Sequence, residues 1–309
     1  MFMAEVEILL ATFNSEKYIS CLLDSLISQD HEDIRITVRD DGSSDSTLEI
    51  LQAYAERDSR IYVLPDHTAS GSAKSNFFRL ILASTAPYIM TCDADDLWLP
   101  EKVSHTLAAM KKLENGDTSV PCLVHCDLKV ASEDLDIIAE SLVRYEKLTP
   151  SRTSLRQLTA QNNVTGCAMM INRALADMIT SEPDAVMHDW WCALIASAFG
   201  RISFLPESLI LYRQHTDNQV GAYDAASAEA SLSRLTGKER NRRIYESMFR
   251  QASAFEKAFH DRLSPEQRDI LTGYGEMLAM SHLARCARLI RGGYWKNTLI
   301  RNIGQFLVI

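Results

Sequence analysis

Short apolar runs and helix-spaced segments alternate through the first hundred residues, and that order admits few folds. Strand patterns cover residues 6–11, 34–39, 61–64 and 88–92, with helix patterns between them over 18–29, 46–57 and 77–83. In the first helix Ile19, Leu22, Leu23, Leu26 and Ile27 recur at the spacing of one helix face. Ser46 and Glu49 have capping-box spacing at the start of the second. This β-α-β-α order predicts an α/β protein with a mainly parallel sheet flanked by helices. Ligands of such sheets bind at the carboxyl ends of the strands. The polar clusters 12–16, 40–45 and 93–96 occupy those ends and are expected to meet in space.

The third cluster carries the most chemistry. Asp93, Asp95 and Asp96 follow directly on the apolar run 88–92. Carboxylates crowded at the end of a buried strand repel one another and resist desolvation. A hard divalent cation, Mn²⁺ or Mg²⁺, relieves both problems and can neutralise a phosphate as a bond breaks. The first turn of a helix opening near Pro100-Glu101-Lys102 accounts for the same acids without metal. Asp41, in Asp40-Asp41-Gly42-Ser43, offers a carboxylate to a base or ribose, or simply forms an Asp/Gly/Ser turn. Lys74 and Asn76 can contact a donor or open a helix. Neither GxGxxG nor a Walker A sequence occurs, so a nucleotide site here must rely on carboxylates and a metal.

Beyond residue 120 the pattern is mixed, with strands expected at 123–126, 166–171, 202–205 and 209–212 and helices at 154–161 and 188–199. A catalytic domain over 1–222 and a helical region over 223–309 are expected, because Gly and Pro thin out in the latter. A net charge of −9 argues against general nucleic-acid affinity. The seven cysteines form no CxxC pair, and Cys122, His125 and Cys126 sit in an apolar strand pattern that explains them better than zinc. No leader pattern precedes the first strand and no apolar run nears the roughly 18–20 residues of a membrane span, which predicts a cytoplasmic protein. Arg285, Arg288, Arg291 and Lys296, interleaved with Leu289, Ile290, Tyr294, Trp295, Leu299 and Ile300, suit a helix on a membrane surface or one packed on protein.

Six segments in order carry a family resemblance: VEILLATFNSEKYISCLLDS (6–25), RDDGSSDST (39–47), TCDADDLWLPEK (91–102), NVTGCAMMIN (163–172), HDWW (188–191) and LILYRQHTDNQVG (209–221). Together they resemble family 2 glycosyltransferases of the GT-A fold, and within them bacterial rhamnosyltransferase-like members that build surface polysaccharides. The resemblance spans about 4–222. It implies inverting transfer of one sugar from a nucleotide-diphosphate donor, dTDP-rhamnose or a UDP-sugar, to a hydroxyl of a glycan or lipid-linked glycan. It places Thr12 and Glu16 in the nucleotide pocket, Asp41 at the base or ribose, and Asp93 at the ribose or metal. Asp95 would ligate the divalent cation, Asp96 would lie nearer the acceptor, and Asp189 would be the general base. Arg213 and His215, two apart on a strand pattern, can reach phosphate or metal, though a structural role for His215 is as plausible. Trp190 and Trp191 either pack in the core or stack on a sugar ring, and Asp189 could simply cap the following helix, though motif order favours the base role. The Gln-x-x-Arg-Trp motif of processive members is missing at Tyr212-Arg213-Gln214-His215, which favours single addition. Two other readings are a Mg²⁺-dependent phosphatase of the haloacid dehalogenase type and a non-catalytic sugar-nucleotide or glycan-binding module. The first fits poorly, because its nucleophile follows an early strand and here the acids follow the fourth.

Overall fold

The computed structural model describes residues 4–215 and 238–309, with backbone alone at 238–240. The chain divides into two compact units, one of Met1–Leu142, Val164–Glu182 and Phe199–Ala222, the other of Val143–Asn163, Pro183–Ala198 and Tyr223–Ile309. The boundary expected at 222/223 and the last six residues of the segment 209–221 lie outside the described residues. Besides the chain after 222, the second unit takes in Val143–Asn163 and Pro183–Ala198.

The first unit opens as the alternation requires: β1 (Val6–Thr12), α1 (Ile19–Ile27), β2 (Ile34–Asp40), α2 (Thr47–Arg57), β3 (Ile61–Val63), α3 (Ala73–Ala83) and β4 (Tyr88–Asp93). The strands β3-β2-β1-β4 pair in that order, all parallel. Ile8, Leu9, Leu10, Val38 and Met90 are fully buried, because a parallel sheet is covered on both faces. Past β4 the chain forms β5 (Leu97–Trp98), α4 (Lys102–Glu114), β6 (Cys122–Ala131), β7 (Ile137–Ala139), α5 (Leu142–Tyr145), α6 (Leu155–Ala160), β8 (Met169–Asn172), α7 (Arg173–Ala176), α8 (His188–Phe199) and β9 (Arg201–Arg213). The sheet continues β4-β8-β6-β9-β5, with β6 and β9 parallel and the other steps antiparallel.

Three local expectations are corrected. The patterns at 202–205 and 209–212 are one strand, β9, whose register against β6 slips so that Cys126 faces Leu205 and Asp127 faces Ser208. Pro206 and Glu207 bulge out between them; proline has no N–H to give the ladder. Residues 166–171 begin with a 3₁₀ turn, Gly166–Ala168, before β8. Ser46 does not complete a capping box: at φ −76°, ψ 11° it is not extended, and its side chain makes no capping bond. Asp45 Oδ1 instead accepts from Thr47 N at 3.0 Å.

In the second unit α6 and α8 join α9 (Lys238–Phe259), α10 (Pro265–Gly275), α11 (His282–Gly292) and α12 (Leu299–Val308). Its core is aromatic: Trp191 meets Phe255 and Phe259 at 5.0 and 6.2 Å between centroids, and Tyr274 meets Phe249 and Tyr294 at 5.1 and 4.9 Å.

Candidate active site

The parallel register sets the site. Thr12 lies opposite Asp40 on β2, and Ala11 lies opposite Asp93 on β4, so the three strand ends share one edge. The first two loops lace together. Asn14 N donates to Ser43 Oγ at 2.8 Å, Ser15 N to Thr47 Oγ1 at 2.7 Å, and Glu16 N to Asp45 Oδ2 at 3.1 Å. In return Ser44 N donates to Asn14 Oδ1 and Ser46 N to Glu16 Oε2, each at 2.9 Å. Glu16 thus sits at the amino end of α2, where a carboxylate is favoured.

Asp40 serves the turn. It accepts from Thr12 Oγ1 at 3.2 Å, Gly42 N at 3.0 Å and Ser43 N at 2.9 Å, while Gly42 takes φ +84°, a conformation that suits glycine. Asp41 faces another way. It accepts from Arg39 Nη1 at 2.9 Å, Ser70 N at 2.6 Å and Gly71 N at 3.2 Å. Burial alone would raise its carboxyl, but Ser70 and the Arg39 guanidinium outweigh that and hold it below the usual carboxylate range. Arg39, only 1% exposed, also donates to Asp66 Oδ2 at 3.0 Å, Thr68 O at 2.6 Å and Asn76 Oδ1 at 3.0 Å. Asn76 returns a bond to the Arg39 carbonyl at 3.2 Å, so both ends of its amide are committed to Arg39. Lys74 lies in the first turn of α3, half-buried. Sequence reading did not single out Arg39, which joins these loops. Arg39→Met is expected to lower unfolding free energy by about 3 kcal/mol in urea titration, because it strands a buried carboxylate. A loss below about 1 kcal/mol would mean that the Ser70 and Gly71 amides suffice for Asp41.

The acidic turn after β4 receives the end of β9. Leu97 and Trp98 of β5 pair with Leu211 and Ile210, which carries Arg213 back onto the turn. Arg213 N donates to Asp96 Oδ1 at 3.2 Å and Arg213 Nε to the Asp95 carbonyl at 2.7 Å. His215 Nε2 lies 2.9 Å from Asp95 Oδ2. The Tyr18 ring braces both, with the Arg213 guanidinium 4.7 Å and the His215 ring 4.9 Å away, and its hydroxyl donates to Glu133 Oε1 at 2.7 Å. Tyr18 and Glu133 lie far apart in the chain and gave no sequence signal.

Asp96 is fully buried. Burial, then the charges of Asp95 and Asp93, push its carboxyl well above the usual carboxylate range. Its Oδ2 makes no hydrogen bond among the described residues. Donor atoms of Asp93, Asp96 and Cys167 lie within 4.8 Å of one another. The Cys167 thiol is kept protonated by burial and by Asp96 and Asp93, which suits a hard cation poorly. The structure therefore brings Asp95 to His215 and Asp93 to Asp96. The orphaned Asp96 oxygen and the mutual repulsion of the acids fit a divalent cation at this turn. Lys102, buried behind it with its ammonium 2.9 Å from the Trp98 ring centroid, is pushed down to about 8 by burial.

Asp189 belongs to the second unit, in the first turn of α8. Its Oδ2 accepts from Asn162 Nδ2 at 3.1 Å and its Oδ1 from Trp190 N at 2.6 Å. Burial pushes its carboxyl up to about 7, with Trp190 N and Asn162 pulling the other way. Trp190 gives its indole N–H to the Leu158 carbonyl at 2.6 Å, and Trp191 lies in the aromatic core. A cavity of about 350 Å³ in this unit is lined by residues including Arg156, Asp269 and Arg288. None of the candidate residues lines it.

Comparison with known proteins matches residues 7–179 to the profile of glycosyl transferase family 2. The dTDP-rhamnosyl transferase RfbG of Shigella flexneri is 28% identical over 228 residues, 69% of this chain and 74% of that protein. The Escherichia coli UDP-Glc:α-D-GlcNAc-diphosphoundecaprenol β-1,3-glucosyltransferase WfaP is 31% identical over 106 residues, 34% of this chain and 41% of its own length. Among solved structures, S. aureus TarS 1–349 in complex with UDP-GlcNAc shares 18% identity at TM-score 0.54, covering 98% of this chain and 90% of that one. The mannosyltransferase PcManGT from Pyrobaculum calidifontis, in complex with GDP-Man and Mn²⁺, also shares 18% identity, at TM-score 0.58, over 94% of this chain and 74% of its own. At that identity the two structures show a common fold, the GT-A arrangement of a curled sheet flanked by helices.

Proposed function

The chain belongs to glycosyltransferase family 2, and from that premise we propose that it moves one sugar, with inversion, from a nucleotide-diphosphate donor to a hydroxyl of a glycan under assembly into polysaccharide. dTDP-rhamnose is the first donor to try, on the strength of the Shigella relative, and a UDP-sugar the second. A lipid-linked glycan is the corresponding acceptor, by analogy with the substrate of the E. coli relative. The reading places the enzyme in the cytoplasm, where sugar nucleotides are made.

The observation that carries this reading is the convergence of Asp41, Asp93, Asp95, Arg213 and His215 around the ends of neighbouring strands. Asp41, already ionised and rigidly held, would accept from the base or ribose. Asp93, Asp95 and His215 would hold the cation, which when bound offsets the charge of the departing diphosphate. Arg213 would stiffen the turn through the Asp95 carbonyl. Asp189 would take the proton of the acceptor hydroxyl as its oxygen bonds to the anomeric carbon. The electron pair of the breaking C–O bond leaves with the diphosphate, and attack from the opposite face inverts the centre. A pKa near 7 suits a base that must be free at neutral pH yet basic enough to accept a proton.

The test is a thermal-shift panel of nucleoside diphosphates and sugar nucleotides with and without Mn²⁺, followed by transfer assays with the donors that bind. At 100 times Kd a ligand stabilises by about 2.7 kcal/mol, a readily measured rise in Tm. One nucleotide series is expected to raise Tm in Mn²⁺ and much less in EDTA. Binding without hydrolysis or transfer would make the protein a sugar-nucleotide-binding module; no stabilisation by any nucleotide would remove the reading.

A further inference from the structure

The last two helices present an apolar face outward. On α12, Leu299, Ile300, Ile303 and Leu307 are exposed, Leu299 by 75%, while Gln305 turns inward and is buried. On α11, Leu283 is 80% exposed and Ile290 is exposed, while Leu289 is buried. The start of α11 meets the end of α12: His282 Nδ1 lies 2.6 Å from the Ile309 carbonyl, and Cys286 Sγ lies 4.0 Å from that of Phe306. Trp295, in the connection between them, is partly exposed and meets Phe306 at 6.1 Å. Each helix therefore has one face already packed and one aliphatic face turned to solvent. Scattered exposed aliphatics need no explanation, but a set recurring on one face of each of two helices does.

Charge selects the occupant. Residues 277–309 contain five basic residues and no acidic one, in a chain of net charge −9. Arg285 is fixed by the carbonyl oxygens of Met277 and Leu278 at 2.7 and 2.9 Å, which hold the guanidinium without cancelling its charge. Lys296 is held by the Tyr245 hydroxyl at 2.9 Å. Arg288 and Arg301 pair with Glu276 and Glu146 at 3.4 and 3.5 Å, and Arg291 is exposed. A symmetric contact with a second copy would set this patch against itself and bring like charges together. An anionic lipid surface meets both features at once.

We propose that α11 and α12 lie flat on an anionic bilayer. Their aliphatic side chains enter the boundary between headgroups and acyl chains, and Trp295 sits at headgroup level. The exposed Arg291 reaches the lipid phosphates, while the other four basic residues, held on the protein side, add to the positive field behind it. Among the described residues no helix is long and apolar enough to cross a membrane, so this contact lies on the surface.

The experiment is flotation of the full chain with phosphatidylcholine vesicles, with and without phosphatidylglycerol, at low and high salt. No donor or acceptor is present, so the outcome is independent of the transferase reading. Co-flotation with the anionic vesicles is expected, weakened by salt and by omission of phosphatidylglycerol. The triple variant Leu299→Glu/Ile303→Glu/Leu307→Glu should partition at least about tenfold less, equivalent to about 1.4 kcal/mol. All three sites are exposed, and an unchanged circular-dichroism melt would show that the variant folds. Should it not fold, Arg291→Glu is read in the same assay, with weaker binding to anionic vesicles expected. Absence of flotation at low salt, or flotation that the substitutions leave unchanged, overturns the proposal. So does a dimer in light scattering that the triple variant dissolves while vesicles bind neither form.

Discussion

Asp189→Asn is expected to cut transfer by about 10²–10⁴-fold while leaving donor affinity near normal, the usual effect of losing a positioned base. The amide fills the same space and keeps one acceptor oxygen, so one of the two local bonds, from Trp190 N or from Asn162, is retained and the other is lost. Two pH readouts accompany the loss. In the unsubstituted protein the rate should rise through about pH 7 as burial releases its hold on the Asp189 proton. Stability should move the opposite way. The unfolded chain gives up that proton near about pH 3.9, whereas the folded chain keeps it to about 7, so folding is progressively penalised as pH rises between the two. Asp189→Asn has nothing to titrate and should escape the penalty, gaining stability relative to the parent at pH 8. Donor binding that falls in proportion to turnover would instead make Asp189 a structural or donor-pocket residue.

Asp95→Asn tests the cation. Losing a carboxylate ligand removes several kcal/mol of charge stabilisation at the departing diphosphate, which at 1.36 kcal/mol per decade is on the order of 10²–10³ in rate. The Mn²⁺-dependent part of nucleotide stabilisation should fall with it. The fold should survive, because Asp95 is partly exposed and the Arg213 bond to its carbonyl does not depend on the side chain. Full activity of the parent protein in excess EDTA would reject a catalytic metal. Cys167→Ser is a useful companion: its sulfur sits beside Asp93 and Asp96, and no metal affinity should depend on a thiol that burial keeps neutral.

The sequence by itself determined the frame of this protein. Periodicity located β1 to β4 and their helices to within a few residues, because strands covered on both faces read as apolar runs and helices repeat every three to four positions. It also determined that the clusters 12–16, 40–45 and 93–96 lie at carboxyl ends, since strand order and direction follow from the alternation. The helix over 188–199, with Asp189 in its first turn, was legible for the same reason. The order of six motifs supplied the family, which spacing alone could not.

Tertiary structure decided the partners. Asp40 and Asp41 are adjacent and identical in type, yet one caps a turn and the other joins Arg39, because successive side chains leave the backbone in different directions. Asn76 is tied to Arg39 by contacts spanning 37 residues, which no local pattern encodes. Pro206 reads as a break between two strands, but pairing with β6 carries the chain past it as a bulge. Asp95 and Asp96 differ only in environment: Asp95 stays partly exposed and meets His215, while Asp96 is sealed in and raised by its neighbours. Desolvation depends on what lies on every side of a group, so the same dehydrated setting that lifts Asp189 to about 7 is visible only once the chain has folded around it.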